Sequence, residues 1–218
     1  MTVDRRAFLQ VLGVSAVGAA GRLRGVAPTD PDLFQSISLG LQVRKPPAWH
    51  FVTASEVWIR RNQLEVVGGE SARQELYDMS GAPVLATIRH PLPHFGAGLI
   101  TWVQLAHDDD DDATALSEIA AAHDWTYRQY GGFVPDWEVL ESAAVTAFAG
   151  HPASRCVVRF SDPADGAPIH MASHLLRHGR VWMTFNLAVA SRDPTATDSV
   201  EFRTIEHGIT LMSAQPTA

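Results

Sequence analysis

From residue 133 to residue 190 the chain repeats one pattern: an alternating apolar segment, then a Gly or Pro turn. That pattern restricts it to an antiparallel sheet, because side chains on a strand alternate between faces with a period of two. Residues 137–148 form one segment, closed by Gly150 and Pro152. Residues 155–160 follow, with Cys156, Val158 and Phe160 on one side and Arg155, Val157 and Arg159 on the other. Asp162-Pro163 through Gly166 reads as a turn, and residues 169–176 and 180–190 read as a hairpin. Two loops compete for that hairpin. A two-residue loop at His178-Gly179 puts His170 and His174 on the face of Val181, Met183 and Phe185. A three-residue loop, Arg177-His178-Gly179, puts Met171, Ser173 and Leu175 there instead. The second keeps apolar with apolar and is the expected register.

The chain before this region mixes strands with a helix. Ile37, Leu39, Leu41 and Val43 alternate as a first strand, stopped by Pro46-Pro47. Residues 48–65 fit either a short helix or strand pairing, and Gly68-Gly69 marks a turn. Residues 84–90 and 99–107 read as strands joined by a loop carrying Pro91, Pro93, Gly96 and Gly98. Residues 113–130 read as a helix, with Leu116, Ile119, Ala120, His123 and Tyr127 on one face, ended by Gly131-Gly132. Residues 198–213 read as a closing helix, with Asp198 and Glu201 resembling a capping box and Phe202, Ile205, Ile209 and Met212 as its buried stripe. The expected class is α+β, an antiparallel sheet flanked by helices.

The N-terminus reads as an address. Asp4-Arg5-Arg6-Ala7-Phe8-Leu9-Gln10 precedes the apolar run 11–20, the layout of a secretory signal. That run is shorter than the roughly 20 apolar residues a membrane span needs. Arg5, Arg6, Phe8 and Leu9 resemble the twin-arginine export motif, with Gln10 where the motif carries Lys. Ala20 closes a small-residue stretch that suits a signal peptidase, and residues 21–32 read as a linker. No Cys follows the run, so it lacks the Cys of a lipoprotein signal. Residues 33–214 are then one domain. The resemblance implies the twin-arginine translocon as partner during export, a periplasmic or secreted location, and no stable membrane span.

Charge and chemistry narrow the function classes. A net charge of −7 argues against a nucleic-acid partner. Cys156 is the single Cys, so there is no internal disulfide, and its alternating segment makes it a small buried apolar residue. The acidic run 108–112 fails the calcium-loop pattern, because Ala113 and Ile119 occupy its sixth and twelfth positions. Solvated acids at a helix N-terminus account for it better. His90, His94, His107 and Asp108 converge if strand 99–107 runs back antiparallel, and they form a ligand set for a divalent metal such as zinc. Exposed loop histidines are the plain alternative. His170, His174 and His178 stand about 13 Å apart per step on a strand and cannot share one metal. They read as a bland strand face, with His174 beside Trp182 as the candidate lining of a groove. No Gly-x-Ser-x-Gly, phosphate loop or paired Cys is present, so no catalytic residue and no cofactor is assigned.

Taken together, residues 41–49 (Leu-Gln-Val-Arg-Lys-Pro-Pro-Ala-Trp), Gly81-Ala82-Pro83, residues 149–153 (Ala-Gly-His-Pro-Ala) and the hairpin carry a family resemblance. Their order is similar to the PsbP-like α/β/α sandwich, including the exported LpqN and DcrB types of bacterial envelope protein. The resemblance implies a non-catalytic accessory or binding module, acting on an unidentified protein or small-molecule ligand of the envelope, and brings no functional residues. Two alternatives stand beside it. One is a metal-dependent extracytoplasmic enzyme built on the His/Asp cluster, and the other is an assembly component active only with a partner.

Overall fold

The computed structural model describes residues 30–53, 55–56, 69–71, 74, 81–89, 97–106, 116–134, 136–162, 166–191, 193, 195, 197 and 199–212. Two compact units are distinguished, Met1–Leu33 and Phe34–Ala218. In the first, the amide of Leu33 donates to the carbonyl of Asp30 at 3.2 Å, closing a turn. Among the described residues, the sheets and helices belong to the second, apart from the first residue of β1.

Ten strands, two sheets and two helices of eight residues or more stand out among the described residues. The small sheet has the order β1-β2-β10, from β1 (Leu33–Ser36), β2 (Leu41–Arg44) and β10 (Ile209–Leu211). The large sheet has the order β3-β4-β5-β9-β8-β7-β6. Its strands are β3 (His50–Val52), β4 (Ala82–Ile88), β5 (Ala97–Leu105), β6 (Glu138–Phe148), β7 (His151–Ser161), β8 (Pro168–His178) and β9 (Val181–Ala190). Every pairing in it is antiparallel. Pro83 lies where β4 extends past its pairing with β3, so its missing N–H leaves no gap in that ladder. The β6–β7 turn is two residues, with Ala149 and Gly150 both at positive φ (50° and 79°), the mirror-image turn whose twist suits a hairpin.

Helix α1 (Leu116–Gln129) covers one face of the sheet, mainly over β6 and β7. Its buried residues are Ile119, Ala120, His123 and Tyr127, the expected stripe. Below them Cys156, Val158, Ile169, Met171 and Ala188 form one apolar cluster with Tyr127 and Tyr130. The indole N–H of Trp137 donates to the carbonyl of Tyr127 at 2.7 Å, and its ring stacks on Phe160. The opposite face holds the main core. There Phe148, Leu176, Met183 and Phe185 pack with Leu41, Val43, Ile209 and Leu211 of the small sheet and with Phe202 and Ile205 of helix α2 (Val200–His207). Each such side chain contributes about 1.5–3 kcal/mol by leaving water.

Three local expectations need correction. The hairpin turn is Gly179-Arg180, with His178 opposite Val181 and His174 opposite Phe185. This sets His170, His174 and His178 on the core face, and all three are buried. Imidazole is a poor guide to exposure: neutral, it buries readily once its nitrogens find partners. The closing helix is shorter than expected. Ser199, not Asp198, caps it, its hydroxyl accepting from the amide of Phe202 at 3.4 Å. Gly208 stops it, and Ile209 is buried on a strand that pairs with β2. The first strand is also shorter, because residues 37–40 form a turn and Ile37 is exposed.

Candidate functional site

The core-face histidines of β8 do three different things. The Nδ1–H of His170 donates to the carbonyl of Ser191 at 3.0 Å. The Nε2–H of His178 donates to the carbonyl of Met212 at 2.8 Å, tying β8 to the residue after β10. His174, between them, stacks on Phe148 at 4.3 Å between ring centroids and is 7% exposed. Its Nδ1 is buried with no hydrogen-bond partner among the described residues. Leaving such a group unpaired costs about 1–3 kcal/mol, and it sets His174 apart from His170 and His178 on the same strand. Burial first, then the neighbouring Arg155 charge, push its pKa down to about 3, which leaves the ring neutral at pH 7.

His174 lines a cavity of about 200 Å³ between the sheet and α2. Ala172 and Leu187 form its sheet side together with His174 and Arg155, and Phe202, Arg203 and Glu206 enter from α2, with Thr197 just before that helix. Arg155 sits across from His174 in the β7–β8 ladder and is held by Glu141 at 2.6 Å. Two guanidinium groups and one carboxylate therefore meet an apolar wall and a neutral imidazole. That combination binds and orients; among these residues no nucleophile is paired with a base.

A second polar constellation lies on the α1 face. Ser154 Oγ is 2.9 Å from His123 Nδ1, and Ser173 Oγ is 3.1 Å from His123 Nε2. Ser173 donates to the Tyr127 hydroxyl at 2.7 Å, and Tyr127 donates to Asn186 Oδ1 at 2.8 Å. These directions fix the tautomer. The one hydrogen of Ser173 is spent on Tyr127, so Ser173 accepts from His123 Nε2–H, and His123 Nδ1 accepts from Ser154. The result is a one-way chain of neutral groups from Ser154 to Asn186. Burial pushes the His123 pKa down to about 4. Ser154 and Ser173 are fully buried and His123 is 2% exposed, so this Ser–His contact is packed away from substrate.

The structure separates His174 from Trp182. Trp182 pairs with Arg177 across β8–β9, which places it on the face opposite His174, and the Arg177 guanidinium lies 5.9 Å from its ring centre. The two therefore do not face each other across the sheet. His90, His94, His107 and Asp108, and likewise Arg5, Arg6, Phe8, Leu9 and Ala20, lie outside the described residues. Among the described residues no group of His, Cys, Asp and Glu could hold a metal ion. Nor is any helix there long and apolar enough to cross a membrane. Sequence reasoning missed Arg203, Glu206 and Thr197, and missed the roles of Ser154, Ser173 and Asn186. The usable signal was His123 on a buried helical stripe, since a buried imidazole needs partners.

No family model matches the chain, and no curated protein matches it. Solved structures do. The solution structure of cyanobacterial PsbP from Synechocystis aligns with a TM-score of 0.53 at 15% identity, covering 88% of this chain and 99% of that one. LpqN of Mycobacterium tuberculosis, described as involved in cell envelope biogenesis, aligns with a TM-score of 0.46 at 11% identity, covering 79% of this chain and 83% of that one. At such identities likeness speaks to the backbone alone. With its antiparallel sheets and flanking helices, this chain has the PsbP-like α+β fold.

Proposed function

We propose that this chain is an exported, non-catalytic binding or accessory protein of the cell envelope, carried out by the twin-arginine route and released without a membrane span. The observation that carries the binding role is the cavity between α2 and the sheet, where His174, beside Arg155, keeps a buried nitrogen without a partner among the described residues. A core that pairs His170 and His178 but leaves His174 open fits a site completed by a ligand. The Ser–His contact under α1 is sealed, which supports binding rather than hydrolysis. The export reading rests on Arg5, Arg6, Phe8 and Leu9 ahead of the apolar run. Two experiments test the proposal. Replacing Arg5 and Arg6 by Lys should abolish export, and unchanged export would refute the route. Thermal melting across a panel of small envelope metabolites should show a dose-dependent rise for at least one, because a ligand that binds only the native state stabilises it. A rise with Zn²⁺ alone, lost on replacing His90 or His94, would favour the metal-dependent enzyme instead.

A further inference from the structure

We propose that the cavity beneath α2 binds a small organic carboxylate with an apolar body, its anionic end between Arg155 and Arg203 and its body against Phe202 and Leu187. The inference deepens the binding reading and rests on it. Guanidinium chemistry argues for an anion: the lining holds Arg155 and Arg203 beside one carboxylate, Glu206, and because Arg155 is already paired with Glu141, Arg203 carries most of the new contact. Guanidinium offers a planar fork that matches a carboxylate with two parallel bonds. Arg155 is already steadied by Glu141 at 2.6 Å, so one of the two forks is held in place. Size argues for a small molecule. The cavity, about 200 Å³, lies below the roughly 300–1,000 Å³ of drug-sized sites.

His174 is the second, independent pointer. It is 7% exposed and stacked on Phe148, its Nδ1 has no partner among the described residues, and His174 lines the same cavity. Its neighbours on the stripe are satisfied by the carbonyls of Ser191 and Met212. A neutral imidazole can donate from one nitrogen and accept at the other, and can switch tautomers to suit the occupant.

The test uses benzoate as the probe and benzamide as its uncharged isostere, titrated into the mature chain and followed by calorimetry and by the ring resonances of His174. Benzoate should bind one to one and shift the His174 resonances, and benzamide should bind at least about tenfold more weakly, as expected when a charge-assisted contact is replaced by a neutral one. Arg203→Gln, on the exposed side of α2, should weaken benzoate by about tenfold or more while leaving benzamide unchanged. His174→Gln should weaken both. If that variant does not fold, the His174 shift in the parent carries the same information. Benzamide binding as tightly as benzoate would overturn the carboxylate assignment and leave the binding role standing. Neither probe binding at millimolar concentration would overturn the assignment and count against the cavity as a binding site. Benzoate binding that Arg203→Gln does not touch would place the anion elsewhere and overturn it too.

Discussion

Acid should weaken this fold through His123, by an amount that can be worked out. Its pKa falls from 6.5 to about 4 on folding, because the ring sits between α1 and the sheet with Ser154 and Ser173 on its nitrogens. Since the folded value is the lower one, the unfolded chain takes up the proton first. Stability from the neutral ring is complete above pH 6.5 and is lost as the pH falls toward 4, with a slope of about 1.4 kcal/mol per pH unit across that window. At pH 4.5 the loss comes to about 2.5 kcal/mol, a large share of a typical total of about 5–15 kcal/mol. The geometry agrees with the sign. A proton on Nδ1 turns the acceptor of Ser154 into a second donor and places a charge in a site 2% exposed. The assay is urea unfolding of the parent and of His123→Gln at pH 7 and pH 4.5. At pH 7 the variant should be weaker by about 1–3 kcal/mol, because Gln cannot span both serines. At pH 4.5 that gap should shrink by about 2 kcal/mol, because only the parent carries the titrating ring. His174 titrates in both proteins, and since His123 is the last of the three causes of its shift, most of its contribution cancels from the difference. A gap that stays constant between the two pH values would refute the assignment of the acid sensitivity to His123.

Three further outcomes are expected. Thr101 is fully buried and its hydroxyl has no partner among the described residues, so Thr101→Val should raise stability by about 1 kcal/mol in the same urea experiment. Gly208→Ala should destabilise by several kcal/mol and lower the melting temperature: its φ suits any residue, but the added methyl would run into the carbonyl oxygen of Arg44, whose amide donates to Gly208 at 2.8 Å. The Cys156 thiol is fully buried, its pKa is pushed up to about 12 by burial, and it donates to the carbonyl of Glu141. Iodoacetamide should therefore label it only in denaturant, and labelling of the native protein at the rate of a free thiol would contradict this placement.

Much of the fold could be read from the chain because strand alternation and helix periodicity leave strong traces. Residues 137–190 alternate cleanly, and Ile119, Ala120, His123 and Tyr127 recur at helical spacing. The misreadings share one cause, polar residues that the fold buries. His170, His174 and His178 made the even side of β8 look outward, which moved the hairpin register and hid the core face. At the C-terminus, Phe202, Ile205 and Ile209 fit a helical stripe, yet the chain turns at Gly208 and buries Ile209 on a strand. A spacing of three or four residues does not say where a helix ends. The candidate site was nearly illegible. Its members come from β7, β8, β9 and α2, and the relay joins His123 to Ser154 and Ser173, 31 and 50 residues away. Serine and arginine are too common to signal such meetings in advance.

The pairing of β2 with β10 sets an order of events during folding. Leu41 and Leu211 are register partners, and the Met212 amide donates to the carbonyl of Gly40 at 2.7 Å. The hairpins of β6 through β9 join sequence neighbours and form as soon as their turns close. The small sheet instead waits for residues from opposite ends of the domain, so during synthesis Leu41 and Val43 stay without their covering strand until Leu211 has emerged. A nascent chain held at residue 200 would present them to chaperones and proteases, and protection would arrive in one step when β10 clasps β2.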